Sequence, residues 1–188
     1  MIELRGPRLT LRPMTRVEYH QFQQNYVPDP VMDPDPYQYD AASTDEAYDR
    51  RNAEASMLSL GIYLSGAIIG SLRFKRIDRA GGRCEIGVVL DTDAHKERGY
   101  GGEAFALAVD YAFGNMSLTR VFADTMGGNI RMQRILDRLG FRCYSRMRDA
   151  YDMRGRWEDR LDYILERQAW ATAKEQAACM RSEQKRRS

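Results

Sequence analysis

A short glycine-rich segment holds the residue types that point most directly to chemistry. The stretch HKERGYGGEAF, residues 95–105, leads into an apolar helical pattern whose predicted buried face consists of Phe105, Ala108, Val109, Ala112 and Phe113. Its basic and glycine residues of interest are Lys96, Arg98, Gly99, Gly101 and Gly102. Amides at the start of a helix lack intrahelical partners, and glycines let a backbone approach an anion closely. The segment therefore predicts a phosphate-binding loop, although a glycine-rich turn that simply begins a helix fits it equally well.

Two known phosphate motifs can be compared with this segment. The P-loop pattern GxxxxGK[ST] is absent, which argues against a nucleoside triphosphatase. The dinucleotide pattern GxGxxG/A does occur, as Gly99, Gly101 and Ala104, with Asp124 downstream. In that fold a strand runs almost directly into the first glycine, whereas the polar residues TDAHKER precede Gly99 here. NAD-type nucleotide binding is therefore the less favoured alternative.

The surrounding pattern predicts the elements that must position this loop. It indicates a strand, two helices, three strands, a helix, a strand, a helix and two strands. We expect Thr15 to cap the first helix and Ser43 or Thr44 to cap the second. This order predicts an α/β (α+β) fold, in which a mixed, mostly antiparallel central sheet of about seven strands has helices on both faces. We expect one domain over residues 1–168 and a tail at 169–188 that can form a marginal helix.

Composition limits the class of protein. The 29 Lys and Arg residues nearly balance the 27 Asp and Glu residues, so the charge does not indicate a nucleic-acid partner. No apolar run approaches the roughly 20 residues of a membrane helix, and the N-terminus lacks the apolar core of a signal peptide. Three scattered cysteines and two distant histidines do not form a metal or disulfide pattern. We expect a cytoplasmic protein without a bound metal.

Two segments together, HKERGYGGEAFALAVDYAF and VFADTMGGNIRMQRILDRLGFR, resemble the GNAT superfamily of acyl-CoA N-acyltransferases. The branch they resemble most contains the RimJ/RimL-type ribosomal-protein N-terminal acetyltransferases. The family loop [Q/R]-x-x-G-x-[G/A] corresponds to Lys96 through Gly101, with lysine at the first position. The later family signature stands as Asn129 and Leu139-Gly140-Phe141. The resemblance covers almost the whole chain and implies the GNAT fold.

The same resemblance implies a binding site for acetyl-CoA. The amides from Arg98 to Gly102 are expected to hold the diphosphate, and the backbone of Gly87–Leu90 the pantetheine arm. The strands CEIGVVLD and RVFADT are expected to splay apart and admit the thioester. The implied cofactor-binding residues are Val88, Val89, Leu90, Lys96, Arg98, Gly99, Tyr100, Gly101, Gly102 and Asn129.

Acetyl transfer to nitrogen requires a neutral amine, so a base must remove a proton at neutral pH. Asp124 is the first candidate because it matches the carboxylate that some relatives use, and Glu85 on the neighbouring strand is the second. Both could instead be structural carboxylates paired with arginine. Met132 and Leu136 stand where many relatives carry hydroxyl groups near the thiolate. The remaining candidates for a proton donor are solvent, Tyr144 and Tyr151.

The chain has a Pro/Asp-rich loop at residues 27–40. The resemblance implies that this loop helps to form the acceptor site, as the corresponding region does in relatives. Its acidic and aromatic side chains suit a cationic amine, although turns favour aspartate for local reasons. The acids are Asp29, Asp33, Asp35 and Asp40. The sequence thus predicts an N-acetyltransferase that moves an acetyl group from acetyl-CoA directly to a primary amine, as a monomer or homodimer. The alternative is a catalytically idle acyl-CoA-binding module of the same fold.

Overall fold

The computed structural model describes residues 2–176, which form one sheet of eight strands rather than the predicted seven or so. The strands are β1 (Leu4–Arg5), β2 (Leu9–Arg12), β3 (Leu58–Leu64), β4 (Ala67–Asp78), β5 (Arg83–Leu90), β6 (Arg120–Met126), β7 (Arg142–Asp152) and β8 (Trp157–Glu166). Their order in the sheet is β1-β2-β3-β4-β5-β6-β8-β7. The strand absent from the prediction is β1, whose two residues are too few to show an alternating pattern.

Four helices flank the sheet: α1 (Arg16–Asn25), α2 (Ala41–Ala53), α3 (Tyr100–Gly114) and α4 (Ile130–Arg138). Thr15 caps α1, as the sequence predicts, and it does so in a reciprocal capping box with Glu18. The predicted cap of α2 is wrong. Asp40 caps that helix by accepting a hydrogen bond from the Ser43 amide at 2.8 Å, which places Ser43 and Thr44 inside the first turn. No helix within residues 2–176 combines the length and apolar character that a bilayer crossing requires.

The sheet has a hydrophobic cluster on each face because side chains of a strand alternate. On β3, Leu60 and Ile62 join the larger cluster with α3, whereas Tyr63 joins the smaller one with α1 and α2. The predicted apolar face of α3 is confirmed, since all its members are buried. They are Phe105, Ala108, Val109, Ala112 and Phe113.

The chain is also helical at residues 167–176, after β8. Trp170 packs against the larger cluster and donates from Nε1 to Asp110 Oδ1 at 2.7 Å, which fixes this segment to α3. The rest of the predicted tail lies outside the described residues.

Candidate active site

The site forms where the only parallel strand pair in the described sheet comes apart. Strands β5 and β6 pair at just three positions, the last joining Glu85 to Phe122. Beyond that pair β5 continues to Leu90 and β6 to Met126 without pairing to each other. A cleft therefore opens between Gly87–Leu90 and the end of β6, and the edge of β5 that faces it is free to bind another chain-like molecule.

The glycine segment lies between β5 and α3. Gly99 is the N-cap of α3 with a φ of 81°, a left-handed conformation that favours glycine. The helix begins at Tyr100, so Gly101 and Gly102 are helical residues. The Glu103 amide donates the first hydrogen bond of the helix, to the Gly99 carbonyl at 3.0 Å. Among residues 2–176, the amides of Tyr100, Gly101 and Gly102 have no hydrogen-bond acceptor, which suits them to bind an anion.

The basic side chains of this segment are only partly available. Lys96 is mostly buried and its Nζ lies 2.7 Å from Asp93 Oδ1. Arg98 is exposed, and its carbonyl accepts a hydrogen bond from Arg8 at 3.0 Å. The backbone amides are therefore the main anion-binding feature of the segment, with Arg98 as the side chain free to add charge.

Glu103 has a structural role that sequence reasoning did not identify. Its Oε1 accepts from the amides of Arg8 and Leu9 at 2.8 and 3.0 Å, and its Oε2 accepts from the Arg8 side chain at 2.7 Å. Burial opposes its charged form, but these hydrogen bonds keep its pKa below the usual range. Glu103 thus ties the start of β2 to the start of α3 and leaves the α3 amides without a competing carboxylate.

We expect Glu103→Ala to lower the free energy of unfolding by about 2–4 kcal/mol, because two backbone donors and the Arg8 side chain lose their acceptor. Urea denaturation measures this change. The matched control is Glu46→Ala, since Glu46 is exposed and has no ion pair among the described residues. An equal effect of the two substitutions would contradict the structural role of Glu103.

The candidate bases Glu85 and Asp124 are brought together on neighbouring strands. The Glu85 carboxylate is 7% exposed and contacts the cationic groups of both Lys75 and Arg76. Asp124 is more accessible and lies 3.9 Å from Lys75 Nζ and 3.9 Å from the Arg160 guanidinium. Lys75, Arg76 and Arg160 were not singled out from the sequence, because only the strand register brings them here.

The two carboxyls differ in proton affinity. Burial, together with the neighbouring Glu85 carboxylate, raises the pKa of Asp124 above the ordinary aspartate value. Burial also opposes ionisation of Glu85, but the hydrogen bond and charge of Lys75, a hydrogen bond with Asp124 and the charge of Arg76 together lower its pKa. Carboxyl pairs whose pKa values are pushed apart are typical of acid–base sites. Asp124 is therefore the better proton acceptor of the two.

A pocket of about 470 Å³ lies beside this pair. It is lined by side chains from five strands, among them Glu85, Phe122, Asp124, Tyr144, Arg160 and Asp162. The Phe122 and Tyr144 rings meet edge to face at 6.0 Å. Burial and the Asp162 carboxylate raise the pKa of Tyr144, so its hydroxyl is protonated at neutral pH and able to donate.

The residues on α4 mainly serve the fold. Asn129 caps the helix, and its Oδ1 accepts from the Met132 amide at 3.1 Å. Leu136 is fully buried and Met132 packs against the larger cluster. Neither side chain carries a hydroxyl that could protonate the thiolate. Of the tyrosines considered as proton donors, Tyr144 lines the pocket.

The four aspartates of the loop at residues 27–40 all have partners within the chain. Asp29 pairs with Arg131 at 2.5 Å, and Asp35 pairs with Arg154 at 2.6 Å. Asp33 accepts from the Tyr26 hydroxyl at 3.1 Å, and Asp40 caps α2. These carboxylates stabilise the loop and its contact with α4, and a cationic ligand would have to compete for them.

The chain belongs to the GNAT acetyltransferase family. The sequence profile of the acetyltransferase (GNAT) domain matches residues 8–142. The uncharacterized N-acetyltransferase p20 of Bacillus licheniformis is 29% identical over 118 residues, which make up 63% of this chain and 66% of that protein. The chain thus spans just under two thirds of the length of this relative.

Solved structures agree with this assignment at the level of the fold. RimJ of Mycobacterium smegmatis, in complex with CoA-disulfide, is 22% identical with a TM-score of 0.75, over 89% of this chain and 87% of that one. A spermidine N-acetyltransferase SpeG chimera from Vibrio cholerae and hSSAT is 16% identical with a TM-score of 0.79, over 87% of this chain and 98% of that one.

Proposed function

We propose that the protein transfers an acetyl group from acetyl-CoA to a primary amine. The observation that carries this proposal is the separation of β5 and β6 beyond the Glu85–Phe122 pair, which leaves an open cleft next to Glu85 and Asp124. The chain continues from the open edge of β5 to the α3 amides, which have no acceptor within residues 2–176. The α3 amides and Arg98 suit the diphosphate, and the open edge of Gly87–Leu90 suits the amide groups of a pantetheine arm. Lys96 and Asn129 would contribute through the loop and the α4 cap that they hold in place.

Asp124 would accept the proton that the amine loses as its nitrogen forms a bond to the acetyl carbonyl carbon. A backbone amide near Val88 or Val89 would stabilise the negative charge that develops on the carbonyl oxygen. When the carbon–sulfur bond breaks, the thiolate takes a proton from Tyr144, Tyr151 or solvent. The amine would enter through the pocket lined by Phe122 and Tyr144.

The finer features of the acceptor are part of this proposal. A cationic amine, of a protein N-terminus or a small molecule, would gain mainly from the Asp124 carboxylate beside the pocket, whose nearest cations lie 3.9 Å away. Glu85 and Asp162 would contribute less, because Lys75, Arg76 and Arg160 already pair with them. The loop aspartates contribute less than the sequence predicts, because all four are engaged. Membership of the RimJ/RimL-type branch, a cytoplasmic location and a monomeric or dimeric state stay predictions.

The idle acyl-CoA-binding module is the competing proposal, and it is favoured by the apolar side chains of Met132 and Leu136. Calorimetry with acetyl-CoA and with NAD, followed by a thiol-release screen over amines and N-terminal peptides, separates the possibilities. Acetyl-CoA binding with amine-dependent thiol release supports the enzyme. Binding without thiol release supports the module, and saturable binding of NAD alone supports the nucleotide-binding alternative.

A further inference from the structure

Strand β4 is irregular next to the carboxyl pair. Lys75 pairs with Glu85 across β4 and β5, but the next paired positions are Asp78 and Arg83. Strand β4 therefore has one residue more than β5 in this interval, which is a β-bulge. Arg76 lies inside it with a φ of 50°, in the left-handed region that favours glycine. Non-glycine residues held in this conformation are concentrated at functional sites.

The bulge changes which side chains share a face. In a regular strand, neighbouring residues such as Lys75 and Arg76 point to opposite faces. Here both reach the Glu85 carboxylate, Lys75 at Oε1 and Arg76 at Oε2. The Glu85 side chain is only 7% exposed, so its charge requires partners. The Arg76 side chain is 73% exposed and does not require a partner for its own charge.

We propose that the bulge makes the two carboxyls unequal by placing Lys75 and Arg76 together on Glu85, so that Glu85 remains an anion and Asp124 is the group that takes the amine proton. This inference rests on the proposed acetyltransferase function and adds Lys75 and Arg76 to it as positioning residues. Neither has to touch a substrate, because both act through Glu85.

Asp124 faces charged or titratable groups from every strand packed around it. These are Lys75 and, beyond it, Arg76 from β4, Glu85 from β5, Tyr144 and Tyr151 from β7, and Arg160 and Asp162 from β8. Neutralising Glu85 removes the anion that opposes ionisation of Asp124. Removing Lys75 or Arg76 instead makes it harder to ionise both carboxyls of the pair. The two kinds of variant therefore move the titration in opposite directions.

The test compares Arg76→Gly, Lys75→Met and Glu85→Gln, with Arg76→Lys to restore the charge. Glycine is compatible with the φ of Arg76, so Arg76→Gly removes the cation without straining the bulge. Arg79→Ala is the matched control, because Arg79 is exposed in the turn between β4 and β5. Two quantities are measured: the carboxyl carbon-13 NMR titrations of the ligand-free protein, and kcat against pH for amine-dependent thiol release.

We expect Arg76→Gly and Lys75→Met to move the upper carboxyl titration, and the acid limb of kcat, to higher pH by about one unit. Glu85→Gln is expected to move both to lower pH, while Arg76→Lys and Arg79→Ala leave them near those of the unmodified protein. Unmoved titrations with a uniformly lower kcat would overturn the proposal. Absence of thiol release with every amine would contradict the proposed function. The NMR titrations need no acceptor amine, so they would still test whether Lys75 and Arg76 act through Glu85.

Discussion

Asp124→Asn is expected to lower kcat for acetyl transfer at least about tenfold, because general-base catalysis typically contributes about 10²- to 10⁴-fold and an amide cannot accept the amine proton. In the unmodified protein, kcat should rise with pH as Asp124 loses its proton, with a midpoint above the ordinary aspartate pKa. The Kd for acetyl-CoA is expected to stay nearly unchanged, since Asp124 lies on β6, away from the α3 amides. Initial rates and calorimetry on the same preparations measure both quantities.

Loss of stability would not explain that result. A raised pKa means that the folded state holds the Asp124 proton more tightly than the unfolded state. The free energy of unfolding therefore falls as pH rises from about 3.9, the ordinary aspartate pKa, through the raised value. Asparagine does not ionise, so at neutral pH the Asp124→Asn variant avoids this fall in the free energy of unfolding. The variant should therefore unfold at the same or a higher urea concentration. An unchanged kcat across the pH range would remove Asp124 from the mechanism.

Gly102→Asp is expected to weaken acetyl-CoA binding at least about thirtyfold, which corresponds to about 2 kcal/mol of repulsion between the new carboxylate and the diphosphate. A Cβ at Gly102 meets only Ile135 Cγ1 at 3.9 Å, so the side chain fits without a clash. An acidic residue in the first turn also favours the helix dipole, so folding should be preserved. Calorimetry measures the Kd.

Gly102→Ala is the control for this variant, since it adds the same Cβ without the charge. We expect it to change the Kd far less than aspartate does. Equal loss with alanine and aspartate would mean that the site tolerates no side chain, and no loss with either would place the diphosphate elsewhere.

Local patterns predicted most of the fold. The spacing of Phe105, Ala108 and Val109 indicated the buried face of α3, and Thr15 indicated the start of α1. Strand β1 was not predicted, because a strand of two residues is too short to show an alternating pattern. The cap of α2 was ambiguous, since Asp40, Ser43 and Thr44 are all favourable caps and their choice depends on where the preceding chain ends.

The site depended more on contacts between distant residues. Asp29 and Asp35 look free in the sequence, yet their partners Arg131 and Arg154 are 102 and 119 positions away. In a regular hairpin, the Asp78–Arg83 pair would place Arg76 opposite Glu85. Because of the bulge, Lys75 is the residue opposite Glu85, and the Arg76 side chain contacts the Glu85 carboxylate as well. The carboxylates could thus be named from the sequence, but their unequal environment could not. The assignment of the cofactor-binding and catalytic residues stays a prediction.

Direct transfer of an acetyl group from acetyl-CoA to an amine can be tested by mass spectrometry of the reaction mixture. The unmodified protein is incubated with acetyl-CoA and the amine that gives the fastest thiol release. We predict one acetylated amine for each thiol released, and no thiol release when the amine is left out. Thiol release that is independent of the amine, or that yields no acetylated product, would rule out direct acetyl transfer to the amine.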